Sequence, residues 1–172
     1  MRVLGIESSC DETACAIVED GRKILSNVVA TQIPFHQIYK GVVPEIASRK
    51  HAEWILPVVK EALNEASLSL DKIDAVAATN RPGLMGSLMV GLTFGKTLAW
   101  SINKPFIAVN HILAHLYASH LENDIPYPYL GLLVSGGHSI ICKVNNFDDI
   151  EVLGTTVDDS VGEAFDKVAK FY

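Results

Sequence analysis

Long hydrophobic runs, patterned cysteines and an excess of positive charge are all missing from this sequence of 172 residues. Lys96 or Asn and Gly residues interrupt every apolar stretch well short of the roughly 20 residues that a membrane-spanning helix needs. Cys10, Cys15 and Cys142 have no regular spacing, so we expect no disulfide framework. We also expect no signal peptide, because acidic residues follow the first apolar run at once.

The charge balance is acidic, with 20 Asp and Glu against 14 Lys and Arg and a net charge of −6. A protein that binds nucleic acid by itself usually has a basic surface, so this chain is not expected to bind RNA strongly alone. Its one basic stretch, 36–40 with 49–51, is more typical of a solvated helix face. Hydrophobic residues make up 49% of the chain, which excludes intrinsic disorder. These features predict a reduced, cytoplasmic α/β protein.

The hydrophobic pattern predicts strands separated by helices, an alternation typical of a mostly parallel sheet with helices packed on it. Pro57 is expected to kink or split the first long helix. The predicted strands are 2–6, 13–19, 24–31, 75–79, 106–109, 130–134, 139–144 and 150–156, and the predicted helices are 44–66, 87–102, 112–121 and 160–172.

The strand pattern restarts late in the chain. Segments 4–18 and 130–144 both contain an apolar strand, a polar turn and a second apolar strand, and a third strand follows each. A duplicated domain explains this pattern, although any two hairpins look alike and the residues leave both explanations open. A duplication would give a first domain over 1–127 and the beginning of a second over 128–172. Because the second copy is unfinished, we expect the chain to be a fragment or a truncated form.

His111 and His115 are candidate metal ligands. They are four residues apart in a predicted helix, so they share one face and can bind one metal ion; two structural histidines would fit the same pattern. The residue after His111 is Ile112 instead of the Glu that the H-E-x-x-H motif of zinc peptidases requires. Asp124 and the pair 158–159 are candidate third ligands, although nothing in the sequence places them nearby.

Two polar turns are the other candidate sites. The main-chain N–H groups of a Ser/Gly turn such as Ser135-Gly136-Gly137 can bind a phosphate, although most such turns only reverse the chain. Asp11 and Glu12 lie in the first polar turn. Paired acids in a turn are usually solvated, but beside a nucleotide they could orient a metal ion or a leaving group.

Six motifs in order resemble the TsaD family, the tRNA N6-adenosine threonylcarbamoyltransferases, formerly called O-sialoglycoprotein endopeptidases. The resemblance extends along the whole chain and implies an α/β fold of two actin-like (ASKHA, ribonuclease H-like) domains, the second incomplete here. The motifs are GIESSCDET at 5–13, GVVPEIASRKH at 41–51, RPGLMGSLMVG at 81–91, VNHILAH at 109–115, LLVSGGHS at 132–139 and DDSVGEAFDKVAK at 158–170.

The resemblance also implies roles for individual residues. It implies that His111 and His115 bind one metal ion, iron or zinc, and that Asp11 and Glu12 are catalytic acids facing the active cleft. A third metal ligand, an aspartate, would come from a C-terminal half that this chain lacks. Asn110 stands where the family usually has a histidine. The implied substrate-binding positions are Leu133, Val134, Ser135, Gly136, Gly137 and Asp166.

The implied reaction transfers the threonylcarbamoyl group from threonylcarbamoyl-AMP to N6 of the tRNA adenosine on the 3′ side of the anticodon. The implied partners are tRNA, bound weakly by this chain alone, a TsaB-like paralogue and a TsaE-like ATPase, and ATP or AMP is a further implied ligand. The alternatives are a metalloendopeptidase and a non-catalytic fragment that binds a partner. We expect the 172-residue chain alone to be inactive.

An interaction surface is expected from the two long predicted helices. Segments 44–66 and 87–102 are apolar over more of their circumference than a single core contact covers. Exposed apolar patches of this kind usually mark interfaces. The sequence therefore predicts a homodimer or a complex with the paralogue through the first domain, although the two helices could also cover each other.

Overall fold

The structure, a computed structural model, describes residues 1–169 and 171. These residues form two compact units, Met1–Ala114 and His115–Tyr172. The division falls earlier in the chain than the predicted domain boundary after residue 127, which stays a prediction. The predicted last helix extends to residues 170 and 172, which lie outside the described residues. None of the described helices is long and apolar enough to cross a membrane.

The first unit is built on a five-stranded sheet in the order β3-β2-β1-β4-β5. Strands β1 (Arg2–Glu7), β2 (Glu12–Glu19) and β3 (Lys23–Thr31) form an antiparallel meander. Strands β4 (Ala75–Arg81) and β5 (Phe106–Asn110) continue the sheet in parallel from β1. The sheet is therefore mixed, and the prediction of a mostly parallel sheet is wrong, because hairpins instead of helices join the first three strands.

Four α-helices belong wholly or partly to this unit: α1 (Ile33–His36), α2 (Pro44–Glu65), α3 (Met85–Ser101) and α4 (His111–Ala118). Short 3-10 helices occur at Gln37–Tyr39 and Leu70–Lys72. Helices α2 and α3 pack against the sheet and against each other. The core lies between them and the strands, and its fully buried side chains include Leu4, Ile17, Ile73, Val76, Ala62 and Ala99.

Helix α2 continues through Pro57 as a single element of 22 residues. Of the two outcomes expected at Pro57, the split is therefore wrong, and the kink stays a prediction. Proline removes one main-chain hydrogen bond, so the carbonyl of Glu53 loses its usual partner. Pro57 lies on the exposed side of the helix, where water can hydrate that carbonyl. The buried side, with Ile55, Val58 and Val59, holds the helix on the sheet.

Helix α3 presents small residues to the core and large ones to the outside. Ser87, Gly91, Gly95 and Ala99 are buried and recur at helical spacing. On the other side, Met85, Met89 and Trp100 are 75%, 59% and 84% exposed. Within this unit the helix thus has an uncovered apolar face, as the sequence predicts.

The second unit contains an antiparallel three-stranded sheet, β6 (Tyr129–Val134), β7 (Ser139–Val144) and β8 (Ile150–Thr155), followed by α5 (Val161–Ala169). This meander has the connectivity of β1–β3, so the predicted recurrence of a three-stranded pattern is confirmed. Its buried apolar core is small and consists of Leu116, Cys142 and Val144 with partly buried neighbours.

Candidate functional site

The carboxyl ends of β1, β4 and β5 meet at one edge of the first sheet, because these three strands are parallel and adjacent. Glu7 ends β1, Thr79 lies near the end of β4, and Asn110 ends β5. The register pairs Ile6 with Ala78, which brings the next residue of each strand, Glu7 and Thr79, side by side. In open α/β sheets, ligands bind at such an edge.

Asn110 determines where α4 begins. Its side-chain oxygen accepts hydrogen bonds from the main-chain N–H groups of Ile112 at 2.9 Å and Leu113 at 3.3 Å. This is the N-cap interaction, which satisfies donors that have no partner inside the helix. Helix α4 therefore begins at His111 and holds it at the edge of the sheet. Asn directly before a helical pattern is the sequence signal for this N-cap.

Glu7 is the centre of a polar cluster. The Ser9 main-chain N–H donates to its Oε1 atom, the Thr79 hydroxyl donates to Oε2, and Nδ1 of His111 lies 3.3 Å from Oε2. Burial raises the pKa of Glu7, but hydrogen bonds with His111, Ser9 and Thr79 outweigh burial and lower this pKa to about 2. Glu7 is therefore a carboxylate at neutral pH. In the sequence Glu7 falls just after the predicted strand 2–6, in the polar turn, so no role was predicted for it.

The turn between β1 and β2 is held on one side by α3 and the segment before it. The Ser8 hydroxyl donates to the Ser87 carbonyl at 2.8 Å, and the Leu84 N–H donates to the Ser9 carbonyl at 2.8 Å. The Ser9 hydroxyl lies 3.2 Å from Nδ1 of His111. The turn is thereby fixed next to the Glu7 cluster.

On its other side the same turn is held by α2 through His51. Nε2 of His51 donates to the Cys10 carbonyl at 3.0 Å, and Nδ1 accepts from the Thr13 hydroxyl at 2.8 Å. His51 has no exposed surface, and burial lowers its pKa. A neutral imidazole with its proton on Nε2 satisfies both contacts. In the sequence His51 belongs to the basic stretch, which gives no sign of this role.

Asp11 and Glu12, the predicted catalytic acids, lie at the end of this turn. Asp11 is half-buried, and its carbonyl accepts the Gln32 N–H at 2.9 Å. Glu12 is exposed; burial of its carboxyl group and the charges of Asp11 and Glu7 raise its pKa. Burial of the thiol and the charge of Asp11 raise the pKa of Cys10 to about 12, so Cys10 is a thiol at neutral pH and a poor nucleophile.

His115 lies one helical turn after His111 on α4 and is exposed. The division between the two compact units falls between these histidines. Within residues 1–169 and 171, no group of three or more His, Cys, Asp or Glu side chains could hold a metal ion. The candidate third ligands Asp124, Asp158 and Asp159 therefore do not complete such a group in the described structure.

The Ser/Gly turn belongs to the second unit. Ser135 N–H donates to the His138 carbonyl at 2.8 Å, which closes the turn. The Ser160 hydroxyl donates to the Gly136 carbonyl at 2.6 Å, and Gly162 N–H donates to the Ser135 carbonyl at 3.2 Å. The turn is therefore bonded directly to the beginning of α5.

The other predicted substrate-binding residues lie in the same unit. Leu133 and Val134 pair with β7 at the end of β6, and the Leu133 side chain is buried. Gly136 and Gly137 are exposed and have open space around them. Asp166 is exposed on α5, the helix to which the turn is bonded. Their binding of substrate stays a prediction.

The basic stretch does not form a basic surface. His36 and His51 are buried, Arg49 pairs with Glu45 at 2.6 Å, and Lys50 pairs with Glu53 at 2.7 Å. Because Arg49 and Lys50, two of the three cations of the stretch, have acidic partners and only the exposed Lys40 adds to them, the stretch has little of the excess positive charge that phosphate groups require.

Comparisons with solved structures concern the fold. YeaZ from Pseudomonas aeruginosa matches with a TM-score of 0.57 and 19% identity, over 91% of this chain and 68% of that one. The ROK hexokinase from Thermus thermophilus matches with a TM-score of 0.53 and 21% identity, over 89% of this chain and 48% of that one. These likenesses show the fold alone and confirm the predicted actin-like ATPase fold.

Comparisons of sequence concern the family. A tRNA N6-adenosine threonylcarbamoyltransferase from Treponema denticola is 85% identical over 172 residues, which are 100% of this chain and 51% of that protein. Its namesake from Treponema pallidum (strain Nichols) is 67% identical over 100% of this chain and 49% of that protein. The chain spans about half the length of these curated relatives. The family model "TsaD: tRNA N6-adenosine threonylcarbamoyltransferase" matches residues 23–172, and the chain belongs to this family.

Proposed function

We propose that this chain is the N-terminal part of a cytoplasmic enzyme that transfers the threonylcarbamoyl group from threonylcarbamoyl-AMP to N6 of the tRNA adenosine on the 3′ side of the anticodon. The observation that carries the proposal is the cluster at the edge of the first sheet. There the turn that leads to Asp11 and Glu12 is fixed against His111, the first histidine of the metal motif. Family membership and the names of the relatives agree with it.

The metal ion would be held in part by this chain. His111 and His115 supply two imidazoles one helical turn apart, and imidazole suits both iron and zinc. With only two protein ligands, we expect the chain to bind the ion weakly. Water, atoms of threonylcarbamoyl-AMP or residues of the second half found in the relatives would fill the remaining coordination positions. When bound, the ion would polarise the carbamoyl carbonyl of the donor as a Lewis acid.

Other residues of this chain would supply the remaining chemical groups of the reaction. The main-chain N–H groups of the two exposed glycines of the turn, Gly136 and Gly137, would bind the donor's phosphate. The adenosine N6 attacks the carbamoyl carbon and forms an N–C bond. The bond between that carbon and the phosphate oxygen breaks, AMP leaves, and N6 loses a proton. Glu12, whose pKa is raised by burial and by its acidic neighbours Asp11 and Glu7, is the carboxylate that we assign to accept this proton.

A metallopeptidase gains no support from the structure. Between His111 and His115 lie Ile112, Leu113 and Ala114, so the general-base glutamate of that class is missing from α4. A partner-binding role has one observation in its favour, the uncovered apolar face of α3. We combine it with catalysis: this face would bind a TsaB-like paralogue, while a TsaE-like ATPase and tRNA join the assembled enzyme.

The experiment compares two proteins. One is the 172-residue chain, and the other is the same chain continued by the second half of the Treponema denticola relative. Each is mixed with threonylcarbamoyl-AMP, unmodified tRNA and the partner proteins, and modified adenosine is measured by mass spectrometry. We expect product only from the longer protein, because the short chain lacks part of the site.

Variants of the longer protein complete the test. His111→Ala and His115→Ala should each lower the transfer rate at least about 100-fold, since each removes one ligand of the ion. Leu113→Ala, which shortens an exposed side chain on another face of the same helix, is the matched control and should keep the rate. Full transfer by the two ligand variants, or by the 172-residue chain alone, would contradict the proposal.

A further inference from the structure

Glu7 has an arrangement that fixes its two oxygen atoms as hydrogen-bond acceptors. The Ser9 main-chain N–H donates to Oε1, and the Thr79 hydroxyl donates to Oε2. The contact of 3.3 Å between Oε2 and Nδ1 of His111 therefore requires a proton on Nδ1. If that proton were on Nε2, a nitrogen lone pair would face a carboxylate oxygen.

The contact with Ser9 is also compatible with a proton on Nδ1 of His111. The Ser9 hydroxyl lies 3.2 Å from the same Nδ1 atom, but a hydroxyl can rotate to donate or to accept. Glu7 is the constrained member of the group, because a rigid strand and two donors hold it. The tautomer of His111 is thus set by the carboxylate.

We propose that Glu7 is a positioning residue for His111, holding the ring through Nδ1–H in the tautomer whose Nε2 binds the metal ion. Metal-binding histidines commonly donate their second ring N–H to a carboxylate, which orients the ring and makes the other nitrogen a better ligand. The inference rests on the proposed function, since it takes His111 as a metal ligand. The inference adds Glu7, a residue of β1 that is far from α4 in sequence, to the residues that support the proposed metal site.

The first measurement needs no metal. Long-range ¹H–¹⁵N NMR spectra of the metal-free 172-residue chain report which nitrogen of His111 is protonated, with assignment by His111→Gln. The parent chain should show mainly Nδ1–H. In Glu7→Gln an amide NH₂ replaces one carboxylate oxygen and donates to Nδ1, so the tautomer should shift toward Nε2–H. Glu19→Gln, which changes a strand carboxylate bonded to Arg2 in the same sheet, is the matched control and should show no shift.

The second measurement is a titration of the same proteins with Co²⁺, followed by paramagnetic broadening of the His111 ring signals. Glu7→Gln should weaken Co²⁺ binding by about 10-fold to 100-fold, and Glu19→Gln should not. Should Glu7→Gln fail to fold, Thr79→Val serves instead. It keeps the carboxylate but removes the hydroxyl that fixes Oε2, and it should give a smaller change in the same direction.

The two hypotheses fail differently. A parent chain that shows no Co²⁺ binding at His111 overturns the metal site of the proposed function and, with it, the role of Glu7 there. A parent chain that binds Co²⁺, with a Glu7→Gln variant of equal affinity or unchanged tautomer, overturns the positioning role alone.

Discussion

His51 donates its Nε2–H to the carbonyl oxygen of Cys10 across 3.0 Å, and this bond joins α2 to the turn that leads to Asp11 and Glu12. The other ring nitrogen accepts the Thr13 hydroxyl. Both nitrogens of a fully buried ring are therefore satisfied within the protein. The position of the acidic turn consequently depends on a histidine that belongs to neither the predicted metal site nor the predicted acids.

Replacing His51 tests this dependence. His51→Leu leaves the Cys10 carbonyl and the Thr13 hydroxyl without their partner, so we expect the free energy of unfolding to fall by about 2 kcal/mol. Thr13→Val removes only the hydroxyl and should cost about 1 kcal/mol. Urea denaturation of the 172-residue chain measures both. If the free energy of unfolding of His51→Leu lay within roughly 0.5 kcal/mol of that of the parent chain, this would contradict the role of His51 in holding the acidic turn.

Because His51 is buried, we also expect the stability of the chain to depend on pH. Burial lowers the pKa of His51 in the folded chain below the ordinary value of about 6.5. Below about pH 6.5 the unfolded chain binds more protons at His51 than the folded chain does. The contribution of His51 to the free energy of unfolding is therefore fully present above about pH 6.5, and it is lost as the pH falls through the lowered pKa. The slope from this residue is at most about 1.4 kcal/mol per pH unit.

The measurement is urea denaturation of the parent chain and His51→Leu between about pH 7.5 and about pH 5. Because the other titrating groups are common to both proteins, the difference between their curves isolates His51. This difference should narrow as pH decreases. A difference that stays constant over the range would show that His51 is not held neutral by burial.

Most secondary structure could be predicted from local patterns. Short apolar runs predicted the three strands of each meander, and the Asp20-Gly21 pair, with positive φ at both residues, lies in the turn that joins β2 to β3. Pro57 shows where a local rule fails. Packing of the buried face of α2 outweighs the loss of one hydrogen bond on its exposed face.

The polar contacts of the site could not be predicted in the same way. Glu7 meets Thr79 and His111, which are 72 and 104 residues away in sequence, only because β1, β4 and β5 are neighbours in the sheet. The periodicity of a sequence indicates which face of a strand is buried, but it does not indicate which other strand lies next to it in the sheet. The histidine pair and the acidic turn were therefore predicted as separate features, and Glu7 was missed.

The Ser/Gly turn gives a third prediction. A Cβ atom added to Gly162 would lie 2.5 Å from the Ser135 carbonyl oxygen and 2.7 Å from the Gly136 Cα, which are main-chain atoms with little room to move. Gly162→Ala should therefore displace the turn and destabilise the second unit by about 1–3 kcal/mol.

Gly136→Ala is the matched control, because a Cβ atom at Gly136 meets nothing within 4 Å. Hydrogen exchange of the Ser135 N–H, which is bonded to the His138 carbonyl, should become much faster in Gly162→Ala and change little in Gly136→Ala. Equal effects of the two substitutions would show that α5 does not fix the turn.

The last prediction concerns assembly through α3. Met85, Met89 and Trp100 lie on its uncovered face, and such apolar faces usually mark interfaces. Without a paralogous partner, we expect two copies of the chain to pair through this face at micromolar concentration. Trp54 on α2 is a less suitable site for mutation, because it is partly buried and packs edge-on against Phe35.

Met89→Glu should abolish the dimer, since pairing would bury a carboxylate without a partner. Val29→Glu is the control: Val29 is also exposed, but it pairs with Ala14 on the side of the sheet away from the α2 and α3 core. Sedimentation velocity measures the oligomeric state, and circular dichroism confirms that each variant is folded. A parent chain that sediments as a monomer, or a Met89→Glu variant that remains a dimer, would show that the α3 face does not mediate self-association.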